Sequence, residues 1–156
     1  MNTVPPLVID CARVMSYAFV GNIAYKVHGA LIVNGKSLGQ VPNLAVCIEL
    51  ADDAGTLLFY CDDEWNTLGV AEASSVDEAK KLAEKNYLGV NEKWIDIHTS
   101  VQTALEYYDQ QSNGMKCSFC GKRPFQLGGS LLESNNVFIC NECVSNFYRS
   151  LKSEQP

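Results

Sequence analysis

Two Cys-x-x-Cys pairs, Cys117 with Cys120 and Cys140 with Cys143, constrain this sequence more than any other feature. Nineteen residues separate them, the interval found where four thiolates converge on one zinc ion. Zinc held by four sulfurs is a closed tetrahedron with no position for water or substrate, so the spacing supports a structural metal rather than a hydrolytic one. It also answers a stability problem. A segment of about 40 residues buries too little apolar surface to fold unaided, and metal binding contributes on the order of 10 kcal/mol. The pattern therefore predicts one structural Zn2+ on Cys117, Cys120, Cys140 and Cys143, with no catalytic and no cofactor-binding residue. Gly121 follows the first pair directly, where a residue free to adopt positive φ lets the backbone turn around the metal. Val144, Phe147, Tyr148 and Leu151 then recur at helical spacing. The second pair is thus expected at the start of a helix, its dipole favouring thiolate and its apolar face covering the site.

Metal is read before disulfides because Met1–Pro6 has neither a basic segment nor a following apolar one, so no export signal is expected and the chain is placed in the cytoplasm. Cys11, Cys47 and Cys61 are scattered among apolar neighbours and are expected to serve as small core hydrophobes. No apolar run approaches the roughly 20 residues that span a bilayer. The formal charge is −6, from 12 Lys+Arg against 18 Asp+Glu. That balance disfavours nonspecific attraction to nucleic acid or anionic membrane and leaves proteins as the expected partners.

Charge divides the chain where the cysteines do. Residues 1 to 114 are net −8 and residues 115 to 156 net +2, with the polar run Asp109–Gly114 between them reading as a linker or turn. The expected organisation is a domain over 1–110, a linker over 111–114 and a zinc module over 115–156. In the first domain, Ser75 and Glu78 have capping-box spacing ahead of a helix over Val76–Leu88, with Gly89 just past its end. Val76, Ala79, Leu82, Ala83 and Tyr87 fall on one stripe, and Asp77 with Lys81 is placed for an i, i+4 pair. Asn43–Leu50, Thr56–Cys61 and Thr67–Ala71 read as strands whose short connections imply antiparallel pairing. A further strand is expected at Trp94–His98, then a helix capped by Thr99 and Gln102. Val33-Asn34-Gly35-Lys36 is a hairpin turn, whereas Leu7–Val20 shows no clean period. The fold class expected is α+β: an antiparallel sheet with one or two helices, followed by a small zinc finger.

Lys116-Cys117-Ser118-Phe119-Cys120-Gly121-Lys122 and Val137-Phe138-Ile139-Cys140-Asn141-Glu142-Cys143-Val144 resemble the four-cysteine zinc-binding domain of ClpX, the unfoldase of the Clp protease. The resemblance covers Met115 to Lys152. It implies a treble-clef module that dimerises and binds adaptor or substrate proteins, with the same four cysteines as ligands. The Gly-rich run Phe125–Leu132 departs from that family. Unfoldase activity is not implied, because the chain has no G-x-x-x-x-G-K-[ST] loop and is too short for an ATPase module.

Other candidate groups have ordinary readings. Lys116, Lys122 and Arg123 are expected to offset the net −2 of four thiolates with zinc, and Phe119, Phe125 and Phe138 to serve packing or a dimer interface. The acidic residues Asp52, Asp53, Asp62, Asp63 and Glu64 fall in two turns at opposite ends of a meander and read as solvated turn residues. His28, His98 and Cys61 lack any motif for nucleophilic chemistry. The expected function is that of a bacterial-type, cytoplasmic, non-enzymatic adaptor or accessory factor, a homodimer through the zinc module being one form of partner docking. The alternative is an inhibitor or immunity-type protein acting through the acidic first domain, with zinc a staple only.

Overall fold

The computed structural model describes residues 3–27, 31–51 and 54–153; His28, Asp52 and Asp53 lie outside them. The chain divides into two compact units, Met1–Tyr107 and Tyr108–Pro156. The first holds β1 (Val8–Ile9), β2 (Ala12–Phe19), β3 (Ile32–Val33), β4 (Lys36–Ser37), β5 (Asn43–Glu49), β6 (Thr56–Cys61), β7 (Thr67–Ala73), α1 (Val76–Asn86), β8 (Ile95–Asp96) and the larger part of α2 (Val101–Gln111). The main sheet runs β1-β2-β5-β6-β7 with every neighbour antiparallel, and β8 also pairs with β2. The class is α+β, and β5, β6 and β7 sit where the apolar runs place them.

Those runs are continuous because both sheet faces are covered. Leu44 and Val46 of β5 and Leu58 and Tyr60 of β6 point to one side, where they meet Ala79 and Ala83 of α1 and Tyr87 at its C-terminal cap. Ala45, Cys47, Phe59 and Cys61 point to the other, against Val14, Tyr17 and Trp65. Period-2 alternation is therefore present in space but invisible in hydrophobicity. In β2 the register slips between Val14 and Ser16. This bulge moves the second-face set from Ala12 and Val14 to Tyr17 and puts Ala18 and Val20 on the helix side, which is why Leu7–Val20 carries no clean period.

α1 begins as its sequence dictates: Ser75 Oγ accepts the Glu78 N–H at 3.2 Å. It ends two residues before Leu88, and Tyr87, fully buried, donates its N–H to Ala83 O and accepts the Val41 N–H on its hydroxyl at 2.9 Å. Lys81 pairs with Glu78 at 2.7 Å rather than with Asp77, because both i−3 and i−4 are within reach of a lysine. The second helix is capped by Ser100, whose Oγ accepts the Thr103 N–H at 3.1 Å; Thr99, outside any strand, instead donates its N–H to Val14 O of β2. The strand over Trp94–His98 shrinks to Ile95–Asp96, since His98 takes a left-handed backbone at φ 46°. The hairpin at Asn34-Gly35 forms, with both residues at positive φ.

Cys47 and Cys61 are core residues as expected. Burial pushes both thiols up, Cys47 far above its ordinary value and Cys61 to about 12, which keeps them inert. Cys11 is different. It is half-buried in the β1–β2 turn at φ 61° and is no core hydrophobe. Asp62 is consumed by its own loop, one oxygen accepting the Glu64 and Asn66 N–H groups and the other the Asn66 amide, all at 2.9 Å. No helix of the described residues is long and apolar enough to cross a membrane.

The second unit starts with the last residues of α2 and adds β9 (Leu131–Ser134), β10 (Val137–Cys140) and α3 (Asn141–Ser153). After Gln111 the chain turns through Asn113 and Gly114, both at positive φ, with the Gly114 N–H on Asp109 O at 2.7 Å.

Candidate metal centre

Each of the four cysteines is placed by a separate local cause. The first pair lies on a knuckle, in which the Gly121 N–H donates to Cys117 O and the Cys117 N–H to Lys122 O, both at 2.9 Å. Gly121 closes the knuckle at φ 74°, the freedom its position predicts. Cys140 is the last residue of β10 and Cys143 sits in the first turn of α3. β9 and β10 are joined by Asn135-Asn136, both at positive φ, a two-residue turn of the kind that matches strand twist. Ser118 ties the knuckle to this hairpin. Its N–H donates to Phe138 O at 2.8 Å, and its hydroxyl accepts the Phe138 N–H at 3.1 Å.

The result brings all four sulfurs within 4.8 Å of one another. Cys117 and Cys143 are 3.8 Å apart, and Cys120 and Cys140 3.7 Å. A tetrahedron with zinc–sulfur bonds near 2.3 Å has edges of about 3.8 Å, so these two pairs are opposite edges of a zinc-sized shell. A disulfide would need sulfurs about 2 Å apart. The donor set is thus a ligand shell for one structural Zn2+.

Electrostatics give the metal its role. Burial opposes a thiolate at Cys117, but N–H groups of Cys120, Cys140 and Phe119 aimed at its sulfur outweigh it and bring it down to about 6; the Cys140 N–H lies 3.4 Å away. Burial, and then the other three sulfurs, push Cys143 up to about 12. One sulfur is ready to ionise while a neighbour resists, and a divalent cation is what allows all four to be anionic together. Lys122 is drawn into the field of Cys120 and Cys140 and bonds Glu142 at 2.7 Å. Arg123 has another task from the one its sequence position suggests. Its Nε and Nη2 grip both oxygens of Asp109 at 2.7 and 2.8 Å, holding that carboxyl below its usual range, while Phe125 meets Tyr108 edge-on.

The cover over the sulfurs overturns one expectation. Leu127, Leu131 and Ile139 pack against the cysteines, so the Gly-rich segment and the hairpin form the lid. The apolar stripe of α3 faces outward: Phe147 is 46% exposed, Tyr148 57% and Leu151 68%. A tetrahedral shell needs few neighbours, and three aliphatics suffice, leaving the helix only Cys143 to bury. Phe119 extends the stripe, stacked edge-on against Phe147 at 5.2 Å and itself 55% exposed. Helical spacing alone marked these positions but not the side they face.

No solved structure matches the chain. The family model of the ClpX C4-type zinc finger matches residues 115–153, which are 39 of the 156, and these contain the four cysteines, the hairpin and α3.

Proposed function

We propose that this chain is a zinc-binding, non-catalytic protein-interaction protein, and that α3 of the zinc module is its docking face, with a second copy of the chain as the occupant. The observation that carries this reading is the outward stripe of Val144, Phe147, Tyr148 and Leu151 with Phe119 beside it. Contiguous exposed apolar side chains on a metal-stapled scaffold are an interaction surface rather than a core. A stripe along one helix is also self-complementary, so two copies related by a two-fold axis bury it against itself. The ClpX-type zinc-finger match supports the same reading. The four-sulfur shell leaves the metal no open position for catalysis.

Sedimentation of the full zinc-loaded chain tests this, set against a Phe147→Asp, Leu151→Asp variant. The wild type should form a dimer whose population rises with concentration, and the variant should stay monomeric with its zinc retained. A wild type that remains monomeric rejects the second copy as occupant. A host protein captured equally by both forms would move the function to the acidic surface of the first unit.

A further inference from the structure

The two edges of the main sheet are finished differently. On one side β2 carries β1 and β8, two residues each, and strands that short blunt an edge. The other edge is β7, seven residues long, with no strand beyond it. Among the described residues no backbone hydrogen bond reaches Thr67–Ala73 from the side away from β6. The β3–β4 hairpin comes near through side chains, Leu31, Val33 and Leu38 sitting over Gly69, and shares no ladder bond with β7. The strand has no proline and no lysine, the residues that usually guard an edge. Its one register shift lies at its start, and from Gly69 onward the pairing is regular.

The side chains along this edge divide by face. Ala71 and Ala73 pack toward α1. Val70 and Glu72 oppose Phe59 and Leu57 of β6 on the other face, and there Val70 is 46% and Leu68 39% exposed. An open ladder beside exposed alternate apolar side chains is the surface to which an extended segment adds as a strand.

Charge selects the occupant. Between Asp62 and Ala79 the sequence holds six carboxylates and no lysine or arginine. Asp62 is consumed by its loop and Glu78 by Lys81. Asp63, Glu64 and Glu72 are exposed and make no ion pair among the described residues. A second β7 laid along this one brings two sets of these carboxylates onto one strip, which like-charge repulsion disfavours. We propose that the β7 edge takes up an extended basic segment of another protein as an added strand. The main chain of that segment completes the open ladder, its alternate apolar side chains lie against Leu68 and Val70, and its Lys or Arg residues answer Glu72 and the Asp63–Glu64 corner. The surface belongs to the first unit and requires nothing of the zinc module.

The test is an amide-resonance titration of the 15N-labelled, zinc-loaded full chain with acetyl-Arg-Lys-Val-Thr-Val-Lys-Arg-amide and with an acidic counterpart carrying glutamate for every Arg and Lys. Two backbone-methylated forms of the basic peptide complete the set, one blocked at both valines and the other at the threonine and both lysines. The basic peptide should give saturable shifts and new exchange protection in β7, bind about tenfold tighter than the acidic one, and weaken as salt rises. Only one methylated form should bind, because alternate N–H groups of an added strand face the edge. Val70→Lys and Glu72→Lys, both at exposed positions, should each weaken binding by about the same factor; the wild-type titrations decide alone should either variant fail to fold. The proposal is overturned if the basic peptide does not saturate, if the acidic one binds as well, if the two methylated forms bind alike, or if the shifts fall outside β7. Protection of β7 that rises with protein concentration alone would make a second copy the occupant and overturn it too.

Discussion

Stripping the zinc should melt the second unit and leave the first intact. The buried residues of the second unit's core are Cys117, Cys140 and Cys143, with Leu127, Leu131 and Ile139 only partly covered. Even complete burial of three aliphatic side chains is worth about 5 to 9 kcal/mol, whereas a structural zinc contributes roughly 10 to 16 kcal/mol at neutral pH. The metal therefore stabilises this unit more than its apolar packing does, and its loss exceeds what the remaining contacts can hold. Amide exchange of the full chain with and without chelator reads this directly. Protection should vanish across β9, β10 and α3 and persist in β2, β5 and β6, whose two-sided burial does not involve the metal. The reasoning is refuted if α3 and the hairpin keep their protection in a sample shown to contain no zinc. Acid should have the same effect as chelator, because all four thiols must lose protons to bind and Cys143 in particular holds its own tightly.

Three further outcomes follow from the first unit. Tyr87→Phe leaves the buried Val41 N–H without its acceptor and should cost about 1 to 3 kcal/mol; an unchanged urea midpoint, followed by Trp65 and Trp94 fluorescence, would contradict this. At Gly69 an added Cβ would lie 2.9 Å from Leu31 Cδ2 and 3.0 Å from Leu38 Cδ2. Gly69→Ala should then be absorbed by small shifts of those flexible ends, while Gly69→Phe should release the β3–β4 hairpin in exchange measurements with β5–β7 still protected. Asp96 is held below its ordinary pKa by Lys80 first and then by the Ser16 hydroxyl. Its contribution is present above the unfolded value near 3.9 and lost as pH falls through the lower folded value. Urea stability of Asp96→Asn should accordingly lose that part of the acid dependence, and a slope identical to wild type below about pH 4 would count against the pairing.

The four cysteines were legible because ligand spacing is a local constraint, and α1 because its cap, stripe and terminating glycine agree. β5 and β6 were legible as strands from their branched and aromatic content. Which of their residues face α1 was not, since both faces are apolar. β2 escaped because a single bulge at Met15 breaks the alternation on which strand reading depends. Asn135-Asn136 carried a turn signal that the Gly-rich segment before it obscured. The α3 stripe shows the limit of helical periodicity, which finds an apolar face without saying whether the protein covers it. Thr99 reads as a cap because a hydroxyl beside a helix start fits either position, and only the bond from its N–H to the Val14 carbonyl distinguishes them.

X-ray absorption at the zinc edge of the full chain, purified without chelator, bears most directly on the account. It should show one zinc per chain with four sulfurs at about 2.3 Å and no lighter ligand. An oxygen or nitrogen in the shell would mean an open coordination position and would contradict a closed, non-catalytic centre built by Cys117, Cys120, Cys140 and Cys143.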